Sequence, residues 1–357
     1  MLQIATMTAS VKPLSREDLE HILAHTEGLW DELSGGCIFV TGGTGFFGMW
    51  LLESFFHAND RLSLGARATV LTRRPEAFAS KAPHLANRKD LKFAVGDVRD
   101  FAFPEGTFPH VIHAATTSSA PVEPLEMFDT ILWGTRRVLE FAAGHGARKL
   151  LFTSSGAVYG RQPAGLTHVP EEYGGAPDPV DPASAYGEGK RAAELLCILM
   201  ASRHGFEAKI ARCFAFVGPH LPLDAHFAIG NFIRDALGGG PIRVNGDGSP
   251  LRSYLYAADL AIWLWTILLK GAPARPYNVG SDEAISIADL ARTVGEMHGV
   301  GVSILGQPTP GAAPARYVPS AKRARTGLGL ASWIDLKDGI RRTAGWLGGA
   351  ASAPRQR

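Results

Sequence analysis

The sequence predicts an α/β fold, a doubly wound parallel sheet with a smaller C-terminal lobe. Three observations predict it. Short apolar runs alternate with helical stretches from Cys37 to Gly218, a glycine-rich loop follows the first of those runs, and Gly and Pro become more frequent from about Leu221.

The elements follow in order. Residues 15–34, SREDLEHILAHTEGLWDELS, start with Ser15 as a helix cap and Asp18 in the first turn. Leu19, Ile22, Leu23, Leu29, Trp30 and Leu33 recur at helical spacing, which gives a helix packed on the flank of the main domain, with a dimer contact as the alternative. CIFVT (37–41) is a strand, followed by the glycine loop and the helical GMWLLESFFHAN (48–59). ATVLT (68–72), LKFAVGDV (91–98), HVIHAA (110–115), KLLFTSS (149–155) and KIARCFAFVG (209–218) are further strands. Helical stretches such as MFDTILWGTRRVLEFAAGHG (127–146) separate them, and PIRVNG (241–246) is a strand of the smaller lobe. The expected division is a helical extension at 1–34, the main domain at 35–220, an interleaved lobe at 221–345 and a disordered tail at 346–357.

Composition narrows the class. The chain of 357 residues is 46% hydrophobic and 20% charged, with a net charge of +2 and the two signs interspersed. That is globular, and it argues against a nucleic-acid partner. Cys37, Cys197 and Cys213 are isolated in apolar strands and a helix, so buried free thiols are expected and a metal site is not. The opening residues lack the apolar stretch of a signal peptide. The most apolar run, AIWLWTILL, falls short of the roughly 18–20 residues of a membrane span. No membrane association and a cytoplasmic location are expected.

Thr41-Gly42-Gly43-Thr44-Gly45-Phe46-Phe47-Gly48 joins the first strand to the first main-domain helix. It contains both G-x-G-x-x-G and G-x-x-G-x-x-G. Small residues let the backbone turn sharply and approach a pyrophosphate, while the helix N-terminus offers N–H groups to the anion. Gly42, Thr44, Gly45, Phe46, Phe47 and Gly48 are thus candidate dinucleotide-binding residues of a Rossmann-like fold. An acidic residue near Thr72 would select NAD; the chain has Arg73 and Arg74, which suit the 2′-phosphate of NADP. Two solvated surface arginines are the alternative. Asp97 and Val98 are expected beside the adenine, and Ala114, Ala115 and Thr116 at the carboxyl edge of the fourth strand.

Tyr186 and Lys190 lie four residues apart at the start of a helix, on one face. A phenol is a poor base at neutral pH. A nearby ammonium and a positive nicotinamide lower its pKa, so it can exchange a proton with a substrate oxygen as hydride moves. Both residues are expected at the cofactor as well. Ser155, after the KLLFT strand, is placed to hydrogen-bond the reacting oxygen, with Ser154 as the competing candidate for substrate contact.

The glycine loop, SSGAVYG (154–160), Tyr186-x-x-x-Lys190 and RCFAFVGP (212–219) together resemble the extended short-chain dehydrogenase/reductases, the NAD-dependent epimerase/dehydratase family. The resemblance runs from about Gly36 to Gly345 and is nearest the nucleotide-sugar branch of UDP-glucuronate decarboxylases and sugar epimerases. It implies a nucleotide-diphosphate sugar as substrate, with Asn231, Arg252 and Arg316 matching positions that contact the diphosphate and nucleotide. It also implies a homodimer through the helices near 125–143 and 186–203, with Trp133 and the stretch from Leu195 to Met200 as apolar surface or, equally, as ordinary core. The departures matter too. Sugar 4,6-dehydratases carry Asp-Glu where this chain has Gly156 and Ala157, and the decarboxylases carry a glutamate where Ala157 stands. SSGAVYG resembles the 4-epimerases, whereas YGEGKRAAE resembles the decarboxylases. Ile131 replaces a cofactor-side asparagine.

These readings combine into an NAD- or NADP-dependent enzyme acting by hydride transfer at C4 of a nucleotide-diphosphate hexose. A 4-epimerase ranks first. An NADPH-dependent 4-ketoreductase, a decarboxylase or dehydratase, and a catalytically silent dinucleotide-binding regulator are the alternatives.

Overall fold

In the computed structural model, residues 11–116, 122–225 and 227–348 are described. The predicted disorder of the tail falls on 349–357 for most of its length, outside the described residues. The chain begins with α1 (Arg16–His25), whose cap Ser15 accepts a hydrogen bond from the Asp18 N–H. The main domain then alternates as the apolar pattern predicts: β1 (Cys37–Thr41), α2 (Phe46–Leu62), β2 (Arg67–Thr72), α3 (Pro75–Lys81), α4 (Pro83–Ala86), β3 (Leu91–Val95) and β4 (His110–His113). It continues through α5 (Pro124–Gly144), β5 (Lys149–Ser155), α6 (Ala185–His204) and β6 (Glu207–Cys213).

KIARCFAFVG breaks after Cys213. Phe216–Val217 forms β7, which pairs with β10 (Leu255–Tyr256) and leaves the main sheet. Between them lie α7 (Ala228–Leu237), β8 (Ile242–Val244) and β9 (Leu251–Arg252). After β10 come α8 (Ala257–Lys270), β11 (Pro276–Val279), β12 (Ile285–Ser286), α9 (Ile287–His298), β13 (Val302–Ile304), β14 (Arg316–Tyr317), α10 (Lys322–Leu328) and α11 (Leu336–Gly348).

The main sheet has seven parallel strands in the order β11-β6-β5-β4-β1-β2-β3. The order reverses between β1 and β4, the crevice where open α/β sheets bind ligands. Strand alternation splits the core. Ile38, Val40 and Leu151 face α2 and α8, whereas Phe39, Leu150 and Phe152 face α5 and α6. Helix α8 is apolar on all sides and buried except at Lys270, so AIWLWTILL is core. Among the described residues no helix is long and apolar enough to cross a membrane.

Residues 221–345 do not form a separate block, because α8 and β11 return to the main sheet layer. The remainder builds the small sheets β12-β9-β14 and β13-β8 and supplies β10 to its pairing with β7. The N-terminal helix lies against α2 and α8, tied by Tyr256 donating to Asp18 (2.9 Å) and by His21 at 2.9 Å from Asp259. Cys197 and Cys213 are buried free thiols as expected, but Cys37, at the start of β1, is only half-buried.

Candidate active site

The glycine loop packs directly against the end of β4. A Cβ on Gly42, whose φ is +73°, would lie 2.4 Å from the Ala114 carbonyl, and one on Gly48 would lie 2.3 Å from the Gly42 oxygen. Only hydrogen fits at either position. Gly45 caps α2 without a side-chain hydrogen bond, so the N–H groups of Phe46, Phe47 and Gly48 have no side-chain acceptor there. The Phe47 ring is held edge-on by Phe216 at 5.1 Å.

Thr41 fixes the facing strand end. Its hydroxyl lies 2.7 Å from His113 Nδ1 and accepts from the Ala115 N–H. His113 also contacts Thr135 and is buried, which pulls its pKa down to about 3 and keeps it neutral. Beyond it, the buried Thr116 hydroxyl has no partner among the described residues. A bare helix N-terminus, a loop that excludes Cβ atoms and an orphaned hydroxyl at the switch point together fit a dinucleotide.

At the β2 end, Arg73 and Arg74 are both exposed. Arg73 lies 3.9 Å from Asp97, whose carboxylate is taken up mainly by Arg99 at 2.8 Å. Val98 is buried and packs against Gly134 of α5.

Tyr186 and Lys190 project from the first turns of α6 as predicted, with the ammonium 5.9 Å from the phenol ring centroid. Lys190 is 2% exposed and donates to the Thr153 carbonyl at 2.8 Å. Burial pulls its pKa down to about 8. The expected lowering of the Tyr186 pKa is not produced by the protein's own groups. Burial raises it, partly offset by a hydrogen bond from Ser155.

The two serines of β5 separate. Ser155 accepts from the Ala157 N–H at 3.1 Å and lies 3.4 Å from the Tyr317 hydroxyl. Ser154, expected on the substrate, instead donates to Glu194 at 2.5 Å. Strand alternation turns it toward α6, where Glu194 is also clamped by Arg212 at 2.7 Å.

Arg252 and Arg316 lie on the paired strands β9 and β14, but Arg252 is opposite Tyr317, 5.9 Å over its ring, and Arg316 is opposite Leu251, so strand alternation turns the two arginines to opposite faces. Both arginines are half-buried. Asn231 sits apart on α7, its side-chain oxygen accepting from Arg234 at 3.2 Å. Ile131 is buried on α5 against Gly189 of α6.

Tyr317 is a site residue that the sequence reading missed. It lies beside Ser155, its ring 4.7 Å from Phe214, and burial raises its pKa. The one available signal was its place next to Arg316 in RYVPSAKRAR. Tyr317 and Phe214 also close the space beside Gly156, where a Cβ would meet Phe214 at 2.7 Å and the Tyr317 hydroxyl at 2.8 Å. This arrangement can exchange a proton at an oxygen held by Tyr186 and Ser155, with no carboxylate at 156 or 157 to drive elimination.

The NAD dependent epimerase/dehydratase family matches residues 38–280. UDP-glucuronic acid decarboxylase 1 of Xenopus tropicalis is 30% identical over 312 residues, covering 86% of this chain and 70% of that protein. UDP-glucuronic acid decarboxylase 3 of Arabidopsis thaliana is 30% identical over 316 residues, covering 85% and 86%. Among solved structures, UDP-glucose 4-epimerase of Thermotoga maritima superposes with a TM-score of 0.71 at 21% identity, covering 88% of this chain and 99% of that one, a likeness of fold.

Proposed function

Because this chain belongs to the NAD-dependent epimerase/dehydratase family, we propose that it is a nucleotide-sugar enzyme working by hydride exchange at C4 of a nucleoside-diphosphate hexose, as a 4-epimerase. One observation carries the reading. A hydroxyl pair, Ser155 hydrogen-bonded to Tyr186, faces a site in which the adjoining position has no room for an acid, since Gly156 is closed by Phe214 and Tyr317.

When bound, the nicotinamide supplies the hydride acceptor and donor. The chain's residues do the rest. As hydride leaves C4, Tyr186 would take the proton of the C4 hydroxyl and then return it to the C4 ketone, the positive nicotinamide, when bound, offsetting the burial that raises the phenol's pKa. Ser155 orients that oxygen. Lys190 holds the Thr153 carbonyl and places positive charge behind the phenol. Arg252, over the Tyr317 ring, is assigned to the diphosphate, and Arg316 and Asn231 are carried over from the family resemblance as diphosphate and nucleotide contacts.

Two other outcomes have their own support. The relatives named above favour decarboxylation: a C4 ketone makes a C6 carboxylate a β-keto acid, which loses carbon dioxide without an acidic side chain. Arg73 and Arg74 favour NADP, and with it a 4-ketoreductase. We take NADP as the dinucleotide, recycled within the epimerase cycle rather than consumed.

The test is incubation with UDP-, dTDP-, CDP- and GDP-hexoses and UDP-glucuronate, with and without NADPH, reading products by mass and NMR. An epimer of unchanged mass without net NADPH oxidation is expected. Loss of carbon dioxide from UDP-glucuronate, or a reduced sugar with NADPH consumed, reassigns the outcome. Turnover unchanged by Tyr186→Phe overturns the site.

A further inference from the structure

Four lysines among the described residues are not exposed: Lys81, Lys149, Lys190 and Lys209. Two have a carboxylate, Lys149 on Glu32 at 2.8 Å and Lys209 on Glu207. Lys81 and Lys190 have none within ion-pair distance among the described residues. Lys190 lies in the proposed hydride site. Lys81 has no such account, and a partly buried cation without a counterion is costly.

Its position supplies one. Lys81 ends α3, the first helix after β2, and its ammonium donates to the carbonyl of Thr44 at 3.1 Å, inside the glycine loop. That bond satisfies one of three donors. The helix end is fixed: the Lys81 carbonyl accepts from the Val11 N–H at 2.7 Å, and Phe78 and Ala82 are buried beneath it. The β1–β2 register pairs Thr41 with Leu71, so the chain reaches Arg73 and Arg74 just beyond, alongside the glycine loop. Lys81 therefore borders the same loop that Arg73 and Arg74 flank. Asp97, the acid at the end of β3 beside Arg73, is neutralised by Arg99 and Arg73. Burial also pulls the Lys81 pKa below the ordinary lysine value.

We propose that Lys81 is a phosphate ligand of the dinucleotide, completing with Arg73 and Arg74 a site for the 2′-phosphate of NADP. The inference rests on the NADP reading above. A phosphomonoester dianion supplies the missing counterion, and the lysine serves as a point charge where the two arginines offer planar forks.

The experiment measures binding of NADP⁺, NAD⁺, 2′,5′-ADP and 5′-AMP by calorimetry, for the wild-type chain and for Lys81→Met, Lys81→Arg and Arg73→Ala. Lys81→Met is expected to weaken NADP⁺ and 2′,5′-ADP about tenfold, with NAD⁺ and 5′-AMP changed by less than about twofold, and Lys81→Arg to restore the preference. Equal weakening of all four ligands by Lys81→Met makes the residue a brace of the loop and overturns the proposal. Preference for NADP⁺ that falls with Arg73→Ala but survives Lys81→Met overturns it while leaving the NADP reading intact. A wild-type chain that does not discriminate NADP⁺ from NAD⁺ removes both. If Lys81→Met does not fold, Lys81→Gln is read by the same criteria.

Discussion

At the scale of single residues, neighbours in sequence are given opposite work by one step of strand alternation. Ser155 sits with the Tyr317 hydroxyl, while Ser154 is hydrogen-bonded to Glu194 within a buried network that includes Arg212. The two alanine variants should therefore separate. Ser155→Ala is expected to lower kcat about a hundredfold with the melting temperature kept. Ser154→Ala is expected to keep kcat within a few-fold but to destabilise the fold by about 1–3 kcal/mol, because Glu194 loses a buried donor. Denaturation and steady-state kinetics on the same preparations check both; a large kcat loss in Ser154→Ala would sink the assignment. Lys190 gives a pH signature. Burial lowers its pKa to about 8, so the ammonium predominates below that pH and is lost above it. Any rate that needs the positive charge behind Tyr186 should fall as pH rises through about 8 in a kcat/KM profile. A profile flat from neutral pH to well above that value would show that the charge is not used.

At the scale of elements, α2 does two jobs, opening the glycine loop at one end and anchoring the chain's beginning along its side. Glu53 on α2 accepts from the Leu14 N–H at 2.7 Å and faces His84 at 3.2 Å and His220 at 3.5 Å. Its carboxylate thereby joins the N-terminal segment, α4 and the loop after β7. Burial raises the Glu53 pKa, but the contacts with His220, His84 and the Leu14 N–H outweigh it and hold the value below the usual range. A depressed carboxylate stabilises the fold above its unfolded pKa, and the contribution is lost as pH falls through the folded value. Glu53→Gln should therefore lower the melting temperature by several degrees at neutral pH, and the difference from wild type should shrink below about pH 4.3. A difference independent of pH would assign the effect to packing. The same element explains what sequence could reveal. The glycine loop and the Tyr186–Lys190 pair were legible because each lies within one strand–loop–helix step or one helical turn, where spacing alone sets geometry. Lys81 and Tyr317 were not, because their partners Thr44 and Ser155 are supplied by distant segments. Arg252 and Arg316 entered by resemblance, and the β9–β14 register puts Arg252 beside Tyr317 while Arg316 faces away with Leu251.

At the scale of the whole molecule, the apolar pattern gave the parallel sheet, but it did not separate the lobe from the domain, since α8 and β11 re-enter the main layer after the lobe has begun. It also left open whether Trp133 and Leu195 through Met200 belong to core or surface. Met200 is buried, whereas Trp133 is 57% exposed, Leu195 60% and Leu199 58%. Leu195 and Leu199 are four residues apart on α6, and Trp133 projects from α5 beside it. Apolar side chains concentrated on one pair of packed helices are unusual on a monomer's surface, and a two-fold axis would bury them against themselves. We therefore expect a homodimer through this face. Sedimentation of the double variant Trp133→Glu/Leu199→Glu checks it: the wild type should run as a dimer and the variant as a monomer that keeps its helical circular dichroism. Because the first turns of the same α6 carry Tyr186 and Lys190, the monomer should also lose turnover through looser placement of the phenol. A wild-type chain that sediments as a monomer, or a variant still dimeric, would show that this face does not join two copies.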